Sequence, residues 1–140
     1  MAKYHFLTGD DLVSLELDDR VARCAQIKAD IVSSDEREGG LRALLNYGHT
    51  LGHAIEIETN FAFAHGEAVA MGLIFASKLA HSLGRVPQER VDYHMHIVGE
   101  TYGLQTSIPK SCSLDRLMTL MAKDKKAVDG LTFVLDGPQG

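Results

Sequence analysis

Apolar positions recur at helical spacing along most of the chain. After a short opening, Asp18 and Asp19 supply capping carboxylates, and Val21, Cys24, Ala25, Ile31 and Val32 predict a helix to about residue 33. Lys28 falls on the same stripe, where a lysine either snorkels outward or turns a cation into a pocket. The polar run 33–40 ends in two glycines and reads as a loop. From Leu41 to about Thr59 a single helix is predicted. Leu41, Leu44, Leu45, Gly48, Gly52 and Ile55 form its core-facing stripe. A second stripe, Arg42, Asn46, His49, His53 and Glu56, falls within an arc of about 80° at about 100° per residue. A solvated face ordinarily carries Glu, Lys, Gln and Arg pairs, so Arg, Asn and two His beside glycines predict the wall of a polar site.

Residues 60–64 break the pattern, and His65-Gly66-Glu67 opens a helix expected to last to about Leu83. Its buried stripe is Val69, Gly72, Leu73, Ala76, Ala80 and Leu83. The small residues Ala68, Ala70, Gly72 and Ala76 permit tight helix packing. Gly84 is placed as a C-cap and Pro87 as a stop. Two more amphipathic helices are predicted over 88–102 and 113–122, and one short strand over 131–135. The expected fold is mostly α, one helical domain over 1–140 with a short strand near its end.

A composition with 45% hydrophobic and 24% charged residues is that of a globular domain and argues against disorder. The net charge of −5 disfavours nucleic acid as a partner, since a phosphate backbone needs a basic footprint. No apolar run approaches the roughly 18 residues of a membrane span, and the first residues lack the apolar stretch of a signal peptide. Two cysteines in no metal or redox spacing make a reducing cytoplasm the expectation.

Histidine is the departure from the ordinary: seven residues, three of them between 49 and 65. His49 and His53 at i, i+4 have the spacing with which a helix supplies two zinc ligands, and His65 is a third candidate. Glu38, Glu56 and Glu67 are the nearby carboxylates. Each suits a ligand, a general base or a partner that orients a ligand, and spacing alone does not choose. His5, His81, His94 and His96 are expected to have surface or half-buried structural roles, His94 and His96 facing different ways. The run Lys123-Asp124-Lys125-Lys126 is read as a solvated helix end, with a phosphate or carboxylate contact as the sharper alternative.

The run from Lys28 through Asp35-Glu36-Arg37-Glu38-Gly39-Gly40-Leu41-Arg42-Ala43-Leu44-Leu45-Asn46-Tyr47-Gly48-His49-Thr50-Leu51-Gly52-His53-Ala54-Ile55-Glu56, followed by His65-Gly66-Glu67-Ala68-Val69-Ala70-Met71-Gly72, resembles 3-dehydroquinate synthase. Asp124-Lys125-Lys126 adds to the likeness. What it covers is the carboxy-terminal, mostly helical domain of that enzyme, without the amino-terminal NAD-binding domain.

The resemblance implies a carbon–oxygen lyase of the shikimate pathway, leading to chorismate and the aromatic amino acids. With NAD and zinc, or another divalent ion such as cobalt, it cyclises 3-deoxy-D-arabino-heptulosonate 7-phosphate to 3-dehydroquinate with loss of phosphate. By the same resemblance His49 and His65 are zinc ligands, His53 is the acid/base histidine and Glu38 a proton acceptor. Lys3, Lys28, Arg42, Asn46 and one of Lys125 or Lys126 bind the sugar-acid phosphate. Implied partners are the NAD-binding domain and a second copy in a homodimer.

One departure stands out. The family's third zinc ligand is a glutamate in a Glu-x-x-Lys motif; Lys3 matches the lysine, and the glutamate falls one place before Met1. The chain also ends earlier than the family's. The expectation is a chain that holds two of three ligands, binds zinc weakly and turns nothing over alone. Two other readings stand beside this one: a related sugar-phosphate cyclase, and a non-enzymatic helical metal-binding or interaction domain.

Overall fold

The structure, a computed structural model, describes residues 1–35, 40–123 and 132–137. Among these residues it consists of six α-helices with no strand: α1 (Ala2–Thr8), α2 (Leu17–Ser34), α3 (His49–Glu58), α4 (His65–Ser82), α5 (Gln88–Met95) and α6 (Leu114–Lys123). A 3₁₀ turn, Leu41–Asn46, leads into α3, and a wider π turn, His96–Thr101, continues α5. None of the described helices is long and apolar enough to cross a membrane.

The fold is built around α4. Its residues 68–74 are all buried, so it presents apolar surface to neighbours on several sides. On one side Val69, Ala70, Leu73 and Ile74 pack with Ala2, Tyr47 and Val98; on another Ala68 and Met71 pack with Leu51, Ala54, Ile55, Leu117 and Met121. The α3–α4 crossing is close because three glycines leave room for it. A Cβ on Gly72 would lie 1.9 Å from the Gly48 carbonyl oxygen, and one on Gly52 would lie 3.1 Å from the Val69 Cα. Gly84 ends α4 as expected, at φ 67: its N–H reaches the His81 carbonyl and that of Arg85 the Ala80 carbonyl, a Schellman motif. Leu83, expected on the buried stripe, is 60% exposed because the helix has ended before it.

Four expectations are corrected. The helix predicted over 41–59 is two pieces. Tyr47 (φ −56, ψ 123) and Gly48 (φ 78, ψ −9) have the dihedrals of the two central residues of a type II turn, which requires positive φ at the second. The segment read as an opening is α1, capped by Gly9 at φ 72. The stripe assigned to α2 is largely at the surface: Ile27 is the buried residue, while Val21 and Lys28 are exposed. The strand expected over 131–135 is absent from its described part. Residues 132–137 instead run as an irregular segment against α3 and α4, with Phe133 beside Phe75 and the Thr50 hydroxyl donating to the Thr132 carbonyl.

Candidate metal centre

Three imidazoles meet where the start of α3 faces the start of α4. Ring centroids lie 5.5 Å apart for His49 and His53, 5.2 Å for His49 and His65, and 5.9 Å for His53 and His65. The chain brings them together in two steps. His49 and His53 are one turn apart on α3, and the Gly48–Gly72 contact sets α4 alongside so that its first residue, His65, reaches them.

Each of two rings has its tautomer set by an acceptor. The Tyr47 carbonyl, turned by the type II dihedrals, lies 3.0 Å from Nδ1 of His49, so that nitrogen donates and Nε2 is left as the lone-pair donor. Nδ1 of His65 donates to the Glu56 carboxylate at 3.1 and 3.3 Å, again leaving Nε2. Burial pushes His49 down to about 4, with the Lys3 cation and the other two imidazoles pushing the same way against the Tyr47 hydrogen bond. His49 is therefore neutral at pH 7, as a metal ligand must be. One atom each from His53, Glu56 and His65 also lies within 4.8 Å of the others, a second grouping that overlaps the first.

Imidazole nitrogens with one carboxylate suit zinc or cobalt. A cavity of about 380 Å³ adjoins the rings, lined by Met1 to Tyr4, His49, His65 to Glu67, and the apolar Val69, Ala70 and Leu73. Lys3 sits on its wall, its ammonium donating to the Leu45 carbonyl at 2.8 Å. Burial first and then the Lys28 charge hold the Lys3 pKa below the usual lysine value.

Arg42 and Asn46 are not on this wall as one helix would have placed them. They lie on the 3₁₀ turn, exposed, and line a separate hollow of about 310 Å³ with Asp35, Gly40 and Ala43. The 80° arc assumed one continuous α-helix; at three residues per turn, then across a turn, that register is lost. Asp35, which sequence reasoning passed over, is buried and accepts the backbone N–H groups of Gly40 (3.1 Å) and Arg42 (2.7 Å). Glu67 proves to be a helix cap, its carboxylate accepting the Ala64 N–H at 2.8 Å. Glu38, Lys125 and Lys126 lie outside the described residues.

A family model described as 3-dehydroquinate synthase C-terminal matches residues 5–127. Over 140 residues the chain is 49% identical to a protein of Amycolatopsis mediterranei (strain S699) named as an aminodehydroquinate synthase, covering 100% of this chain and 40% of that protein. It is 44% identical over 117 residues to the 3-dehydroquinate synthase of Rippkaea orientalis, covering 82% of this chain and 32% of the relative. A solved structure of 2-deoxy-scyllo-inosose synthase, complexed with carbaglucose-6-phosphate, NAD+ and Co2+, superposes with a TM-score of 0.73 at 30% identity. The overlap is 85% of this chain and 34% of that one. The chain thus spans two fifths or less of the length of these proteins.

Proposed function

The chain belongs to the 3-dehydroquinate synthase family through its C-terminal domain, and from that premise we propose that it forms the metal- and substrate-binding wall of a sugar-phosphate cyclase. The reaction is the conversion of 3-deoxy-D-arabino-heptulosonate 7-phosphate to 3-dehydroquinate with loss of phosphate. The carrying observation is the convergence of three imidazoles, two of them with Nε2 freed by a partner at Nδ1. His49 and His65 hold the ion, and His53, beside both, moves protons to and from the substrate. Lys3, Lys28, Arg42 and Asn46 bind the phosphate and carboxylate; by resemblance alone, one of Lys125 or Lys126 joins them and Glu38 is a proton acceptor. A bound divalent ion supplies Lewis-acid polarisation of the substrate hydroxyl, and NAD, held by a domain outside these residues, accepts and returns the hydride. The reading includes a homodimer and a cytoplasmic location, where the free thiols Cys24 and Cys112 stay reduced.

The higher identity to the protein named as an aminodehydroquinate synthase favours a second reading, in which the substrate is an amino analogue of the same sugar phosphate.

Titration of the chain with Co2+, followed by visible absorption, tests the ligand assignment. His49→Ala and His65→Ala are each expected to weaken binding more than about 100-fold, beyond the loss typical of a residue that only orients a ligand. His53→Ala is expected to leave it unchanged. Loss of binding in His53→Ala with retention in His49→Ala would transfer the ion to the His53, Glu56 and His65 grouping and remove His53 from acid/base duty.

A further inference from the structure

His65 is the first residue of α4, and its side chain is 57% exposed. The rings of His49 and His53 flank it at 5.2 and 5.9 Å on one side while the other is open to solvent, and ring contacts of this kind select neither of the two neutral tautomers. Glu56 is the contrary case. It stands on α3, three residues beyond His53, with a side chain only 13% exposed, and both its oxygens face Nδ1 of His65 at 3.1 and 3.3 Å.

We propose that Glu56 is the positioning residue for His65, accepting its Nδ1–H and so fixing the ring with Nε2 toward the ion. The carboxylate also strengthens Nε2 as a donor, since partial transfer of the Nδ1 proton raises electron density on the ring. A carboxylate shared across the two helices does for His65 what the Tyr47 carbonyl does for His49. The inference rests on the proposed role of His65 as a ligand. It assigns Glu56 away from the metal itself, although its oxygens lie near enough to the donors of His53 and His65 to compete for that place.

Glutamine separates the two roles, because its amide oxygen still accepts from Nδ1–H whereas a neutral amide is a poor ligand. Long-range ¹⁵N–¹H spectra of the metal-free chain, selectively labelled at histidine, read the tautomer of His65; Co2+ titration reads affinity. The wild type and Glu56→Gln are expected to show the Nδ1–H form, with Co2+ affinities within about threefold of each other. Glu56→Ala is expected to shift His65 toward the Nε2–H form favoured by a histidine side chain in water and to weaken Co2+ binding about 10- to 100-fold. An Nε2–H tautomer in the wild type overturns the proposal whether or not the alanine variant folds. So does an alanine variant with unchanged tautomer and affinity, or a glutamine variant as damaged as His65→Ala. If His65→Ala itself binds Co2+ normally, the ligand assignment falls rather than the role of Glu56 alone.

Discussion

His94 shows what a single residue is asked to do in this core. It is 0% exposed, stacked on Phe6 with ring centroids 3.9 Å apart, and donates Nδ1–H to the Arg90 carbonyl at 2.8 Å. Its Nε2 accepts from the Tyr47 hydroxyl at 2.8 Å. Burial, aided by the Arg90 cation, pushes His94 down to about 4 against the pull of buried Asp136, which is itself paired with Arg90. The folded state thus binds this proton less readily than the unfolded chain, whose histidine titrates near 6.5. The resulting stability is present above pH 6.5 and is lost as pH falls from 6.5 toward 4, by about 2 kcal/mol between pH 7 and pH 5. His49, also held near 4, adds to the same slope. Urea midpoints at pH 7 and pH 5 for the wild type and His94→Gln isolate the His94 share. The variant is expected to start less stable and to lose about 2 kcal/mol less on acidification; parallel losses would refute the assignment. The spacing of His94 and His96 showed that they face different ways, and a surface or half-buried structural role was expected of each. That His94 would be wholly buried was not legible, because the ring's partners come from α1 and from residue 47, far away in the chain.

At the scale of elements, the sequence pattern located five of the six described helices, and it failed where backbone geometry rather than side-chain period decides. Residues 41–59 keep a helical apolar period through Gly48, so periodicity alone cannot report that the chain turns there. α1 is only seven residues long, too short for a period to register, although Gly9 just beyond it was a readable stop signal of the same kind as Gly84. The glycines of the α3–α4 crossing carry the consequence. Gly72→Ala places a Cβ 1.9 Å from the Gly48 carbonyl oxygen, and both sides of that clash are backbone, so no rotamer relieves it. The expected cost is at the upper end of overpacking, about 3 kcal/mol or more, together with weaker Co2+ binding because the turn that presents His49 must move. Gly66→Ala is the control. It lies in α4 at a negative φ with nothing within 4 Å, so alanine should be neutral or stabilise by up to about 1 kcal/mol. Chemical denaturation of both variants reads the difference, and equal midpoints would show that the crossing has slack the geometry does not reveal.

The described residues supply an imidazole cluster, a largely apolar cavity beside it and a few cations in a chain of net charge −5. The proposed hydride exchange also needs a dinucleotide held against that cavity, and the synthases this chain matches are much longer than the 140 residues here. The chain alone, given NAD, Co2+ and heptulosonate phosphate, is therefore expected to release no phosphate above the buffer rate while still binding Co2+. A chimera in which it replaces the matching stretch of the Rippkaea orientalis synthase is expected to restore turnover, because the remaining two thirds of that synthase then accompany it. In that chimera His53→Ala should lower kcat by about 10²- to 10⁴-fold, the range for removal of an acid/base group, without loss of Co2+. An active isolated chain would overturn the division of labour. A chimera that folds and binds Co2+, ignores heptulosonate phosphate and accepts its amino analogue would keep the division of labour and move the substrate to the second reading. Discrimination of that kind is open to a domain that lines the substrate, since a site built to hydrogen-bond one polar group leaves its own groups unpaired against the other.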